Sequence, residues 1–153
     1  MSIFGAPLPV GSPAPDFTLK DHQGQEVRLS SLRGQRVMLV FYPGDDTPTC
    51  SLQLSELRDV QGELAAHGIL MFGVNPAGEV SHQKFVQKFC LPFPLLVDRG
   101  GRIAKLYNCG LWLLVRRTVY VIGADGRIEF AERGKPTPEC ILEALGAAKP
   151  PAA

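Results

Sequence analysis

The stretch Val37-Met38-Leu39-Val40-Phe41-Tyr42-Pro43-Gly44-Asp45-Asp46-Thr47-Pro48-Thr49-Cys50 decides the fold. Its first six residues are a continuous apolar run, the pattern of a strand buried on both faces as in a parallel sheet. Its remainder is a turn-rich segment that opens a helical pattern over residues 50–67. There Leu54, Leu57, Val60 and Leu64 recur at helical spacing, and Gly68 stands where a C-terminal cap belongs. Cys50 is thereby placed at a strand-to-helix junction. Backbone N–H groups at a helix start point outward with partial positive charge, so an anion there is stabilised. A thiolate is an anion, and a cysteine so placed is expected to be acidic and nucleophilic at neutral pH.

Working outward, residues 17–19 and 26–29 flank a turn-rich stretch at 21–25 and predict a small hairpin; residues 30–34 predict a short helical turn ending at Gly34. The first twelve residues, rich in Pro and Gly, are expected to form an arm over the surface. Downstream, residues 69–74 predict a second buried strand. Residues 79–90 predict a helix with Phe85, Val86 and Phe89 inward, 93–97 a third strand and 103–107 a short helix. Residues 118–122, the turn Ala124-Asp125-Gly126 and residues 127–130 make a hairpin. Pro138 opens a closing helix expected to run to about Ala148, with a tail at 149–153 expected to fray.

The order strand–helix–strand–helix, hairpin, helix is a three-layer α/β/α sandwich, one domain over residues 1–153. Sites in such sheets lie at the carboxyl ends of the parallel strands, where Cys50 falls. An antiparallel strand beginning at Thr118 starts at that same end, so Arg117 is expected to approach Cys50.

The chain of 153 residues is large enough to bury a core without staples, and 45% hydrophobic with 20% charged residues is ordinary for a soluble protein. A formal net charge of +1 with no long run of Lys or Arg argues against nucleic acid. No apolar run approaches a membrane span, and the N-terminus lacks a signal-peptide pattern, so a cytoplasmic location is expected. Cys50, Cys90, Cys109 and Cys140 form no CxxC pair and no zinc-type spacing, so no metal is expected. Cys109 and Cys140 read as small buried hydrophobes. Asp45 and Asp46 read as a solvated loop, and His22, His67 and His82 as surface histidines. The stretch Leu111-Trp112-Leu113-Leu114-Val115 is open between a buried strand extension and an exposed apolar patch for a partner, a second subunit or an organic peroxide.

Acidity alone does not make a fast thiol. A fall in pKa from about 8.5 to about 6 raises the thiolate fraction roughly 30-fold at neutral pH. Nucleophilicity falls with basicity at a slope of about 0.4–0.5, which cancels roughly 10- to 18-fold of that gain. The remaining acceleration in an attack on peroxide must come from fixed donors that align the O–O bond and stabilise the departing oxygen. The Thr47 hydroxyl, the N–H groups around Thr49 and Cys50, and the Arg117 guanidinium are the available groups, while Pro43 can cover the thiolate. A sulfenic acid on Cys50 would be the first product, to be reduced by a thiol.

The sequence resembles the peroxiredoxins of the bacterioferritin-comigratory (Q-type) subfamily over nearly its whole length. The matching stretches are Pro13-Ala14-Pro15-Asp16-Phe17-Thr18-Leu19, Phe41-Tyr42-Pro43 through Thr47-Pro48-Thr49-Cys50, Leu57-Arg58-Asp59, Ser81-His82, Leu91-Pro92-Phe93-Pro94-Leu95-Leu96 with Asp98, and Arg117 ahead of Tyr120-Val121-Ile122. The resemblance implies a thioredoxin-like fold and a cofactor-free thiol peroxidase acting on hydrogen peroxide and organic hydroperoxides. It implies Cys50 as the peroxidatic cysteine, Thr47 and Arg117 as peroxide-orienting residues and Pro43 as a shield. It also implies thioredoxin, glutaredoxin or a small thiol as reductant, and a monomer or weak homodimer.

A peroxide sensor or redox-dependent binding module using the same cysteine is the alternative. The positions where such proteins carry a resolving cysteine hold Ser55 and Val86 here. Cys90, one helical turn beyond Val86 and about 6 Å further along the axis, is a candidate resolving cysteine that would need local unfolding. A one-cysteine cycle with an external thiol, or resolution by Cys109 or Cys140, stands beside it.

Overall fold

Alternation along one strand divides the core in two. Strand β3 (Arg36–Phe41) sends Val37, Leu39 and Phe41 to one face of the central sheet, and Met38 and Val40 to the other, where Tyr42 follows. All six are essentially sealed from solvent. The computed structural model describes residues 5–45, 47–111 and 114–145. Asp46, Trp112, Leu113 and residues 146–153, with the expected end of the last helix and the tail, lie outside the described residues.

The central sheet has five strands. β3 pairs in parallel with β4 (Ile69–Asn75), which pairs in parallel with β5 (Leu95–Val97). On its other side β3 pairs antiparallel with a strand over Thr118–Ile122, which pairs antiparallel with one over Ile128–Arg133. A two-stranded hairpin, β1 (Thr18–Lys20) and β2 (Glu26–Arg28), precedes the sheet. A second pairs β6 (Gly110–Leu111) with β7 (Leu114–Val115), which makes the two long antiparallel strands β8 and β9.

Helices α1 (Pro48–Asp59), α2 (Gln61–Ala66), α3 (Glu79–Phe89) and α5 (Pro138–Ala144) bury Cys50, Leu54, Leu57, Leu64, Phe85, Ile141 and Leu142 against the Met38/Val40 face. Helix α4 (Arg102–Leu106) and the β1–β2 hairpin cover the Leu39/Phe41 face. Each fully buried Leu or Phe contributes about 1.5–3 kcal/mol, so both layers are strongly held. The arm packs along β9: Gly11 N–H donates to the Ile128 carbonyl, and Ala14 N–H to that of Gly126.

Three expectations are corrected. The helix expected over 50–67 is two helices, broken at Val60 (φ −114°, ψ 9°), whose N–H bonds Leu57 at 3.3 Å. A β-branched residue two before Gly62 is a poor place to continue a helix. The third strand begins only after Pro94, which has no N–H to give a ladder. The last hairpin strand runs on to Arg133, past the residues that alternation suggested. No helix among the described residues is long and apolar enough to cross a membrane.

Candidate thiol site

β3 and α1 bring Cys50 to the carboxyl end of the sheet, in the first turn of α1, with no exposed surface. β8 runs antiparallel to β3 and pairs Thr118 with Phe41, so the residue before Thr118 sits at the same end. The Arg117 Nη1–H donates to Cys50 Sγ at 3.3 Å and to Gln53 Oε1 at 2.9 Å. Gln53 is buried one helical turn past Cys50, on the same face, and holds the guanidinium in place. The sulfur thus has a fixed cationic donor on one side and the start of a twelve-residue helix on the other. That arrangement directs a cationic donor and a helix start at a single sulfur.

Thr47 is the N-cap residue of α1, with extended backbone (φ −85°, ψ 150°), but its side chain makes no capping bond. Thr47 is an exposed residue whose hydroxyl is not bound to the helix it precedes. Pro43 is exposed at the bend directly after β3. Ser51, next to Cys50, has a buried Oγ without a partner among the described residues.

All four cysteines are free thiols. Cys90 is exposed just past α3 in left-handed backbone (φ 52°, ψ 48°), a conformation usually left to glycine. The Phe89 carbonyl before it accepts Arg58 Nη1–H at 2.6 Å, which ties the far end of α1 to the end of α3. Cys109 is buried on the opposite face of the sheet, where burial pushes its thiol up to about 12. Cys140, expected to be buried, is exposed in the first turn of α5. The apolar stretch at 111–115 divides: Leu111 is half-buried, Leu114 is exposed and Val115 is buried in the β6–β7 hairpin.

Asp45 and His82 overturn the expectation of a solvated loop and a surface histidine. The His82 side chain is fully buried and that of Asp45 is 5% exposed, with Nδ1 and Oδ2 2.6 Å apart. Asp45 also accepts from Tyr42 O–H at 2.7 Å and Ser81 Oγ–H at 2.6 Å, and His82 Nε2 meets the Leu96 carbonyl at 2.9 Å. Burial alone would raise the Asp45 pKa, but the bonds from His82, Ser81 and Tyr42 outweigh it and hold the carboxyl below its ordinary value. The Tyr42 ring reaches this position because β4 carries Gly73 beneath it. A Cβ there would lie 3.2 Å from Tyr42 Cε1 and 2.6 Å from Leu95 Cδ2.

Gln53 carried no functional signal in the sequence, and Tyr42 and Ser81-His82 stood out only as stretches matching the family, with no sign that they meet Asp45. The i to i+3 spacing from Cys50 could have flagged Gln53. A turn carboxylate and a helical Ser-His pair 36 residues apart offer no periodic signal.

Residues 10–131 match the AhpC/TSA family. The chain is 32% identical over 148 residues to the peroxiredoxin Bcp of Bacillus subtilis, covering 90% of this chain and 93% of that one. It is 36% identical over 141 residues to the chloroplastic peroxiredoxin Q of Sedum lineare, covering 90% and 75%. Among solved structures, the peroxidoxin BcpB of Mycobacterium tuberculosis superposes with a TM-score of 0.83 at 26% identity, covering 97% of this chain and all of that one.

Proposed function

Because this chain belongs to the AhpC/TSA family, in its bacterioferritin-comigratory (Q-type) peroxiredoxin branch, and is a thiol-dependent peroxidase, we propose that Cys50 is the sulfur that attacks peroxide and Arg117 the cation that assists it. The observation that carries this is the 3.3 Å contact between Arg117 Nη1 and Cys50 Sγ at a helix start. The Cys50 thiolate attacks one peroxide oxygen, an S–O bond forms and the O–O bond breaks. The departing alkoxide or hydroxide leaves with the electron pair and takes up a proton. Sulfur is oxidised by two electrons to the sulfenic acid, and the peroxide is reduced to alcohol or water. Arg117 and the free N–H groups of the first turn stabilise the departing charge, the exposed Thr47 hydroxyl orients the peroxide, and Pro43 shields the thiolate.

A thiol then attacks the sulfenic sulfur, releases water and leaves a disulfide, which a second thiol reduces. The electron source is thioredoxin, glutaredoxin or a small thiol, and the compartment is the cytoplasm. The protein works as a monomer or weak homodimer. The attacking thiol is either Cys90, reached by local unfolding, or an external one. The intact mass of the reduced chain after one equivalent of hydrogen peroxide separates the two. Loss of two hydrogens names an internal disulfide, and peptide mapping then identifies its second cysteine. Oxygen gained on Cys50 alone names an external thiol. A thiol that stays unchanged on a time scale of seconds overturns the assignment of Cys50.

A further inference from the structure

Cys50 has no exposed surface, and a thiol such as glutathione, far bulkier than hydrogen peroxide, reaches its sulfenic acid only when part of α1 opens. On the downstream side of that opening the first turns of α1 are held by apolar burial of Cys50 and Leu54, with few polar ties to other elements among the described residues. Thr47 makes no side-chain cap bond, Ser51 Oγ has no partner among the described residues, and Arg117 bonds the side chains of Cys50 and Gln53. The upstream side is held from three elements at once. Asp45 takes hydrogen bonds from Tyr42 after β3 and from Ser81 and His82 of α3, and His82 reaches on to β5.

The proton inventory of this cluster is constrained. The Leu96 carbonyl only accepts, so His82 Nε2 carries a hydrogen; Tyr42 and Ser81 both donate to the carboxylate. A hydrogen therefore lies between His82 Nδ1 and Asp45 Oδ2, 2.6 Å apart at the edge of an open cleft. Asn75 Nδ2–H donates to the Tyr42 carbonyl at 2.8 Å and so fastens the end of β3 to β4. Lys84 and Lys88 are the charged groups among the described residues that line the open cleft together with Asp45.

Resting on the peroxidase assignment above, we propose that Asp45 and His82 are positioning residues that clamp the loop entering α1 to α3 and β5, so that opening is confined to the first turns of α1 and the thiol site reassembles after each turnover. The clamp neither touches peroxide nor moves electrons. It sets where the unfolding stops.

The test uses the reduced full-length chain and its His82→Asn variant, followed by hydrogen exchange with mass spectrometry and by two single-turnover rates. In the unaltered chain, amides over 48–53 exchange faster than those over 42–45 and 79–85. In His82→Asn, fast exchange spreads into both flanking segments, roughly a hundredfold above the unaltered chain. Oxidation of Cys50 by hydrogen peroxide slows roughly ten- to a hundredfold as the site loses its alignment, while capture of the sulfenic acid by glutathione speeds up. A merely structural defect would slow both steps together. Ser81→Ala removes one donor to Asp45 and shifts the same readouts in the same direction by less, which covers the case in which His82→Asn does not fold. Unchanged exchange over 42–45 in a folded variant, or two rates falling together, overturns the clamp. A sulfur in the unaltered chain that ignores peroxide overturns the peroxidase assignment instead, and the exchange contrast still decides the clamp by itself.

Discussion

Cys50 and Cys109 are both completely buried, one on each face of the same sheet, and each has an arginine nearby. Their surroundings differ in where that arginine directs its hydrogens. Arg117 gives one to the Cys50 sulfur and to Gln53. Arg133, near Cys109, donates to Thr118 Oγ1 and to the carbonyls of Asn108 and Gly5. Cys109 lies in the core cluster with Phe41, Tyr107 and Tyr120, and burial outweighs both the Arg133 charge and the hydrogen bond between Cys109 and Thr118 in setting its pKa. Burial and a neighbouring cation therefore do not make a reactive thiol. The two sites differ in having, at Cys50, an arginine hydrogen aimed at the sulfur at a helix start, and the proposed reactivity of Cys50 rests on that difference.

The contrast can be broken most severely by exchanging sulfur for oxygen. Cys50→Ser should abolish peroxide reduction in a stopped-flow assay, whereas Cys109→Ser should leave the rate of the peroxide step unchanged. Peroxide turnover surviving Cys50→Ser would end the distinction. Arg117→Ala should slow oxidation of Cys50 by roughly 10²–10³-fold, the usual cost of losing a donor aimed at developing charge. A near-normal rate in a folded variant would place the source of reactivity elsewhere.

Gln53→Ala tests whether the guanidinium has to be held as well as present. We expect about a tenfold loss in the same step, as for other groups that orient a functional side chain.

The smallest effect belongs to Cys109. Its folded pKa of about 12 exceeds the ordinary thiol value of 9.0. Between those values the unfolded chain releases a proton that the folded chain keeps, so stability is present in full below pH 9 and declines as the pH rises towards 12. Cys109→Ala should flatten that part of a denaturation-midpoint profile; a slope that does not change would show that Cys109 does not set it.

Much of this contrast was written in the chain. The apolar run at 37–42 and the turn leading to Cys50 define the strand–helix junction, because alternation and capping are local properties. The approach of Arg117 followed from strand polarity alone. The break at Val60 and the exposure of Cys140 were less legible, since both depend on how α2 and α5 meet the sheet. The Asp45–His82 pair was invisible for a different reason. Its members are brought together by the return of the chain through β4 and α3, and a polar residue in a turn or on a helix looks solvated until that return is known. Buried polar clusters are the part of a fold that a one-dimensional pattern conceals.

The antiparallel register of β8 on β3 has a consequence for how such a chain can vary. Arg116 and Arg117 are adjacent, and pairing of Thr118 with Phe41 selects the second of them for the sulfur while the first stays exposed. A slip of one residue would exchange them and turn every apolar side chain of β8 to the wrong face. The selection is made within the sheet, and the β6–β7 hairpin that precedes it is fastened to the same place, with Val115 buried in the core and Arg116 N–H donating to the Cys109 carbonyl at 2.7 Å. The arginine is thereby positioned from both sides, by the register of β8 on β3 after it and by the buried Val115 before it, so a change in either should move the cation relative to the sulfur.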